Sequence, residues 1–385
     1  MTFLYLRRLG LTAALLLLSA PLFCEASQQG ATPDTPTVMA QHHMQDHTDG
    51  HSGSTTSPGP DLFGHDTGAH AGHDMGAHAH HGALPPVGVM GAHTHGRGGW
   101  MLSYRYMHMN MDGNRDGTGR VGTQEVLDDF MVAPLDMTMD MHMLGAMYGL
   151  TDTVTLMAMI PYLDKSMDHR TRMGVTFTTD AEGFGDAKLT ALFTMFDNGA
   201  HHVHLGAGLS LPTGSIDEKD DTPAGPDQQL PYPMQLGSGT FDLMPGLTYL
   251  GNSGAWSWGG QVLATLRLGD NDRDYSLGDS FDLTAWLARQ LGPLFSASLR
   301  AKASFWGDID GADKDLNPMM VPTADPDRRG GSRVDILAGL SLQGPNGPLQ
   351  GHSLSLELGF PVYQKLDGPQ LETDWTFIGG WRWMF

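Results

Sequence analysis

The chain of 385 residues carries a formal net charge of −21, one cysteine and only 17% charged residues. The acidic balance excludes nucleic acid as a partner, because phosphate binding needs clustered Lys and Arg. A mean hydropathy of −0.24 is too low for a bundle of membrane helices. It suits a barrel, in which only alternate residues meet lipid.

The first predicted element is a leader. Arg7 and Arg8 form a basic start, residues 9–23 form an apolar run, and Cys24-Glu25-Ala26 is a small-x-small cleavage site. Residues 1–26 therefore read as a secretory signal peptide. The lone cysteine, Cys24, goes with it, so the mature chain can form no disulfide.

Residues 27–97 form the second predicted region, a disordered periplasmic arm rich in Ser, Thr, Gly, Pro, Asp and His. Such a composition buries too little apolar surface to offset chain entropy. Its histidines are His42, His43, His47, His51, His65, His70, His73, His78, His80, His81, His93 and His95, with Met39, Met44, Met75 and Met90 between them. Imidazole suits copper, zinc and nickel, and thioether selects Cu(I). The irregular spacing points to a labile, multi-site sponge for copper ions, with no cofactor required. A polar linker and a pH-responsive tether are the other readings.

Residues 98–385 alternate with period two between turn residues, which is the strand signature. Val203, Leu205, Ala207, Leu209 and Leu211 alternate with polar or small residues, and so do Leu354, Leu356, Leu358 and Phe360. Connections alternate between short ones near 150–153, 197–200, 251–254, 292–293 and 345–350 and long ones near 111–135, 165–183, 213–238, 270–278, 308–331 and 364–371. The pattern predicts an all-β fold, a transmembrane antiparallel up-and-down β-barrel of about 12 strands. On the last strand Trp375, Phe377, Trp381, Trp383 and Phe385 share one face. An aromatic strand ending in Phe resembles the signal read by the outer-membrane assembly machinery. Membrane lipid and that machinery are the expected partners, and the Gram-negative outer membrane is the expected location.

Two candidate sets lie in the barrel. Met107 and Met109 on the first strand and Met137, Met139, Met141 and Met143 on the second recur two apart, so each set lines one face. Such a stripe can pass a soft metal ion, accommodate apolar solutes, or simply fill space. A lumen set comprises Arg105, His202, His204, Arg267, Arg300 and Arg382. The acidic loops at 112–117 and 308–315 are read as solvated, not as calcium sites. No nucleophile elbow, phosphate loop or zinc-protease helix appears, so no catalytic set is assigned.

The segments Ser103-Tyr104-Arg105-Tyr106-Met107, Gly183-Phe184-Gly185-Asp186, Leu209-Ser210-Leu211-Pro212-Thr213-Gly214 and Gly368-Pro369-Gln370-Leu371 resemble the transporters grouped under the MetA pathway of phenol degradation. The resemblance spans residues 98–385 and implies an outer-membrane barrel that moves small molecules. It assigns no binding residues. Three functions follow as expectations: a channel linked to copper or another soft metal, a channel for small aromatic or apolar solutes, and a non-conducting metal-sequestering protein.

Overall fold

The structure, a computed structural model, describes residues 83–385. The leader and residues 27–82 of the arm lie outside the described residues. Eleven strands form the wall: β1 (Trp100–Gly117), β2 (Val132–Gly149), β3 (Val154–Thr171), β4 (Ala187–Asp197), β5 (His201–Leu211), β6 (Phe241–Ser253), β7 (Trp256–Leu268), β8 (Ser280–Gln290), β9 (Phe295–Trp306), β10 (Gly331–Gln343) and β11 (His352–Met384). Each pairs antiparallel with the next, and β11 pairs back onto β1, which closes the barrel. Two further strands of the same sheet lie outside the ring, Gly119–Val121 beside β1 and Thr176–Phe184 on the far end of β3.

Eleven is odd, and a ring in which every neighbour is antiparallel needs an even number of spans. The long β11 resolves this. Its first part, Ser353 to Leu366, pairs with β10, and its second, from Leu366 to Met384, pairs with β1. The strand thus runs out and back. Its two ends meet where Met384 N–H donates to Gly351 O, and the Trp383 ring stacks on His352. The turn passes through 364–371, where the sequence pattern suggests a loop, and Gln364 and Thr373 bridge it with two hydrogen bonds of 2.9 Å.

The outer face is apolar because alternate residues point outward. Leu144, Leu299, Leu340 and Val362 are all more than half exposed, and a closed ring leaves no unpaired edge. Such a surface is stable only in a hydrocarbon layer, where every backbone group is satisfied within the wall. Trp100, Tyr148, Trp256, Trp383 and Phe385 gather toward the short-turn rim, the level at which amphipathic rings favour the interface.

Several long connections contain more strand than their composition suggests. β1 continues to Gly117 and β3 to Thr171, and residues 176–184 hairpin back along β3. The loop at 212–240 holds a short hairpin, Lys219–Thr222 with Gly225–Gln229, and a single helical turn at Tyr232–Met234.

The described end of the arm differs from the expectation. Residues 83–97 do not hang below the barrel; they pack inside it. Val87, Val89 and Ala92 are buried against Leu337, Ile378 and Trp286 of the inner wall. Side chains of the wall satisfy the backbone: Ser257 Oγ donates to Ala83 O, Gln261 Nε2 to Met90 O and His204 Nε2 to Gly91 O. A Cβ on Gly380 would lie 2.4 Å from Val87 Cγ2, so the wall is hollowed there to receive the segment. A chain that cannot form its own core borrows one from the lumen.

Candidate functional site

The inner face of β1, β2 and β3 is rich in thioether, with at least one methionine at each inward level of the register from Met101 to Met111. β1 contributes Met101, Met107, Met109 and Met111, β2 contributes Met137, Met139, Met141, Met143 and Met147, and β3 contributes Met157, Met159 and Met167. Register makes them neighbours: Met107 faces Met141, Met109 faces Met139, and Met111 faces Met137, which faces Met167. Nearer the short-turn rim, Met101 faces Met147, and Met147 faces Met157. Directly opposed side chains on a sheet lie about 5 Å apart at Cβ, close enough for each sulfur to touch the next side chain. Met is unbranched and polarizable, so the surface can reshape around different contents.

Apolar partners surround this wall. Toward the long-loop end Met137, Leu163 and Met167 join Leu230, Met234 and Leu236 in one cluster. Leu230 to Leu236 belong to the loop at 212–240, which therefore turns into the lumen and caps it. Lys165 of β3 holds the cap, its Nζ donating to Pro233 O at 2.8 Å and Gln235 O at 2.6 Å. At the other end the lumen segment meets the wall around a cavity of about 40 Å³. Met90, His93, Met101, Met143, Met147 and Met157 line it, together with Arg105 and Arg382.

Away from the methionines and the apolar patch under the lumen segment, the inner wall carries polar side chains, many of them paired with one another. Arg300 grips Glu357 with two hydrogen bonds, 2.8 and 3.2 Å, both residues being buried. Arg267 pairs with Asp242, which also accepts from the Thr240 hydroxyl at 2.6 Å. Lys302 pairs with Asp282 at 3.1 Å, and Arg333 with Asp335 at 3.0 Å. Such pairs hold the cross-section of a barrel and set its internal field.

His202 and His204 are buried on the inner face, ring centroids 5.2 Å apart. His202 contacts Asp197 and the Thr94 hydroxyl, and His204 donates to Gly91 O at 2.8 Å. Both histidines thus receive the lumen segment. His201 points outward to Tyr249. Within the segment, His93 and His95 lie with rings 5.0 Å apart. His95 N–H donates to Thr155 Oγ1 at 2.8 Å, and burial lowers the proton affinity of its imidazole below the ordinary value of 6.5. The arm histidines from His42 to His81 lie outside the described residues. Among the described residues no three His, Cys, Asp or Glu side chains converge as a metal site.

The structure brings Met107, Met109, Met137, Met139, Met141 and Met143 onto one wall and turns Arg105, Arg267, Arg300 and Arg382 inward. It does not gather them at one point. Two contributors were not read from sequence, the segment at 83–97 and the cap at 230–236. The apolar islands Pro85-Pro86-Val87-Gly88-Val89 and Leu230-Pro231-Tyr232-Pro233-Met234 are the signals that could have found them. The acidic loop at 308–315 is tied up in structure: Arg273 bonds Asp313 and Asp315, and Asp308 accepts from Arg329 N–H and Gly330 N–H.

Comparisons with known proteins agree with this geometry. The family profile described as "Putative MetA-pathway of phenol degradation" matches residues 118–318, just over half of the chain. The crystal structure of an outer membrane channel from Pseudomonas putida F1 superposes with a TM-score of 0.54 at 16% identity, covering 79% of this chain and 100% of that one. Weaker likenesses include the transport unit of the autotransporter AIDA-I from Escherichia coli, with TM-score 0.43, 10% identity, and 78% and 93% coverage. A Pseudomonas aeruginosa FadL homologue follows, with TM-score 0.39, 11% identity, and 74% and 90% coverage. No curated protein matches the sequence. The fold is that of an outer-membrane channel.

Proposed function

Because the chain belongs to the family described as "Putative MetA-pathway of phenol degradation", we propose that it is an outer-membrane channel whose solutes are small, largely apolar molecules of about the size of one aromatic ring. The carrying observation is the methionine wall, which runs along the inner face of three adjacent strands from one rim to the other. Its sulfurs pack with Leu163, Leu230, Leu236 and Leu192. That environment suits an apolar solute, and the adaptable side chains suit one of variable shape. The lumen segment and the loop cap fill the two ends, so passage requires one or both to shift.

A second reading, passage of a soft cation such as Cu(I) or Ag(I), is favoured by His93 lining the same cavity as six methionines. Its difficulty is electrostatic. Arg105 and Arg382 line that cavity too. At about 4 Å and an effective dielectric near 20, each fixed positive charge repels a cation by about 4 kcal/mol.

One substitution series separates the two. Replacing Met107, Met139, Met141 and Met147 by Leu keeps the volume and removes the sulfur. Calorimetric titration with benzyl alcohol should then change less than threefold, while any Ag(I) binding by the barrel should vanish. Tight Ag(I) binding that disappears with the sulfurs, together with no binding of benzyl alcohol, would transfer the function to the metal.

A further inference from the structure

Four charged side chains meet inside the barrel: Arg105 of β1, Arg300 of β9, and Glu357 and Arg382 of β11. Arg105 feels the charge of each of the other three. Three guanidiniums face one carboxylate, and 3 − 1 leaves a net charge of +2. The single carboxylate is already engaged. Arg300 holds both of its oxygens, and Gly88 N–H donates to Oε2 at 2.5 Å.

Arg105 and Arg382 are left with makeshift partners. Arg105 Nη1 lies 4.0 Å from Met143 Sδ, and its Nε is buried without a hydrogen-bond partner. Arg382 Nη2 reaches Pro85 O at 3.5 Å, the outer limit of a hydrogen bond. Neither forms an ion pair among the described residues. Elsewhere on the inner wall Arg267, Lys302 and Arg333 each have a carboxylate within reach, and Lys165 has two backbone carbonyls at 2.8 and 2.6 Å. Uncompensated charge in a poorly solvated interior is costly, and where it persists it marks a site for the opposite charge.

We propose that Arg105 and Arg382, backed by Arg300, bind the carboxylate of a small organic acid whose apolar body lies on Met101, Met143, Met147 and Met157. This rests on the channel reading above and names its solute class: apolar molecules that carry one acid group. A planar guanidinium matches a carboxylate with two parallel hydrogen bonds, which neither Met143 nor the Pro85 carbonyl supplies. The cavity in front of the two arginines holds about 40 Å³, less than a benzoate needs. Residues 85–92 therefore occupy part of the site, and solute and segment compete for it.

The test is calorimetric titration of the full-length protein in detergent with sodium benzoate and, separately, with its neutral counterpart benzyl alcohol. Benzoate is expected to bind more tightly. Arg105→Gln and Arg382→Gln should each weaken benzoate at least tenfold and leave benzyl alcohol within twofold. Arg105→Lys and Arg382→Lys should keep part of the affinity, and they serve if the Gln variants fail to show the heat-dependent gel mobility of a folded barrel. Unchanged benzoate affinity in all four variants overturns the site. Equal weakening of both ligands also overturns it, because the arginines would then only shape the lumen. Displacement of benzoate by equimolar chloride or phosphate reduces the site to one for simple anions and removes the organic acid. If neither benzoate nor benzyl alcohol binds the unaltered protein, the solute reading itself fails.

Discussion

Gly88 donates its N–H to Glu357 Oε2 at 2.5 Å, and a Cβ built on Gly88 would stand 2.1 Å from Arg300 Nη2. The guanidinium cannot swing aside cheaply, since Glu357 holds it at two points. Gly88→Ala should therefore displace the lumen segment and leave the wall intact. Planar-bilayer recordings should show a larger or more frequent open state than the unaltered channel. An identical current trace would mean that the segment does not limit passage.

Glu357→Gln leaves Arg300 buried without its counter-charge. Breaking one side of a buried ion pair typically costs about 3–5 kcal/mol. Urea unfolding of the reconstituted barrel should show that loss, and the double replacement Arg300→Met with Glu357→Leu should recover most of it. A Glu357→Gln barrel as stable as the original would show that water or the segment backbone already solvates Arg300.

Lys165→Met should loosen the other end. The ammonium bonds Pro233 O and Gln235 O, the two carbonyls that flank Met234, and charged hydrogen bonds of this kind contribute about 1.5–3 kcal/mol each. Protease cleavage within 212–240 should accelerate while the barrel stays folded. No change in cleavage would assign the cap to Leu230, Met234 and Leu236 alone.

Acid should release the lumen segment. Burial holds His95 below its ordinary pKa of 6.5, so the docked segment binds fewer protons than the released one. Docking is then fully favoured above about pH 6.5 and weakens as the pH falls below it. Conductance should rise between pH 7.5 and pH 5.5, and His95→Gln should flatten the response. A response that persists in His95→Gln would rule this imidazole out as the sensor.

The wall was legible because lipid and lumen impose opposite chemistry on alternate residues. Leu354, Leu356, Leu358 and Phe360 could only be one face of a strand, and the phase of Leu144 fixed Met143 and Met147 as inward. The lumen contents were not legible for the same reason. Val87, Val89 and Ala92 follow no period, because an extended segment inside a tube is contacted on all sides. Their burial depends on Trp286, Leu337 and Ile378, far away in sequence. The inward turn of Arg105 and Arg382 follows from strand phase. Their lack of carboxylate partners depends on which strands become neighbours when β11 closes onto β1, and that is a property of the ring.

The out-and-back course of β11 constrains how such a barrel can vary. Both ends of the wall leave from the same rim, β1 entering there and β11 finishing there. Removing or inserting a single span would reverse the direction of everything downstream and bring two parallel edges together at the seam. A ring that stays antiparallel throughout can therefore change circumference only in whole hairpins, and any wider or narrower relative that keeps this plan should differ by an even number of crossings.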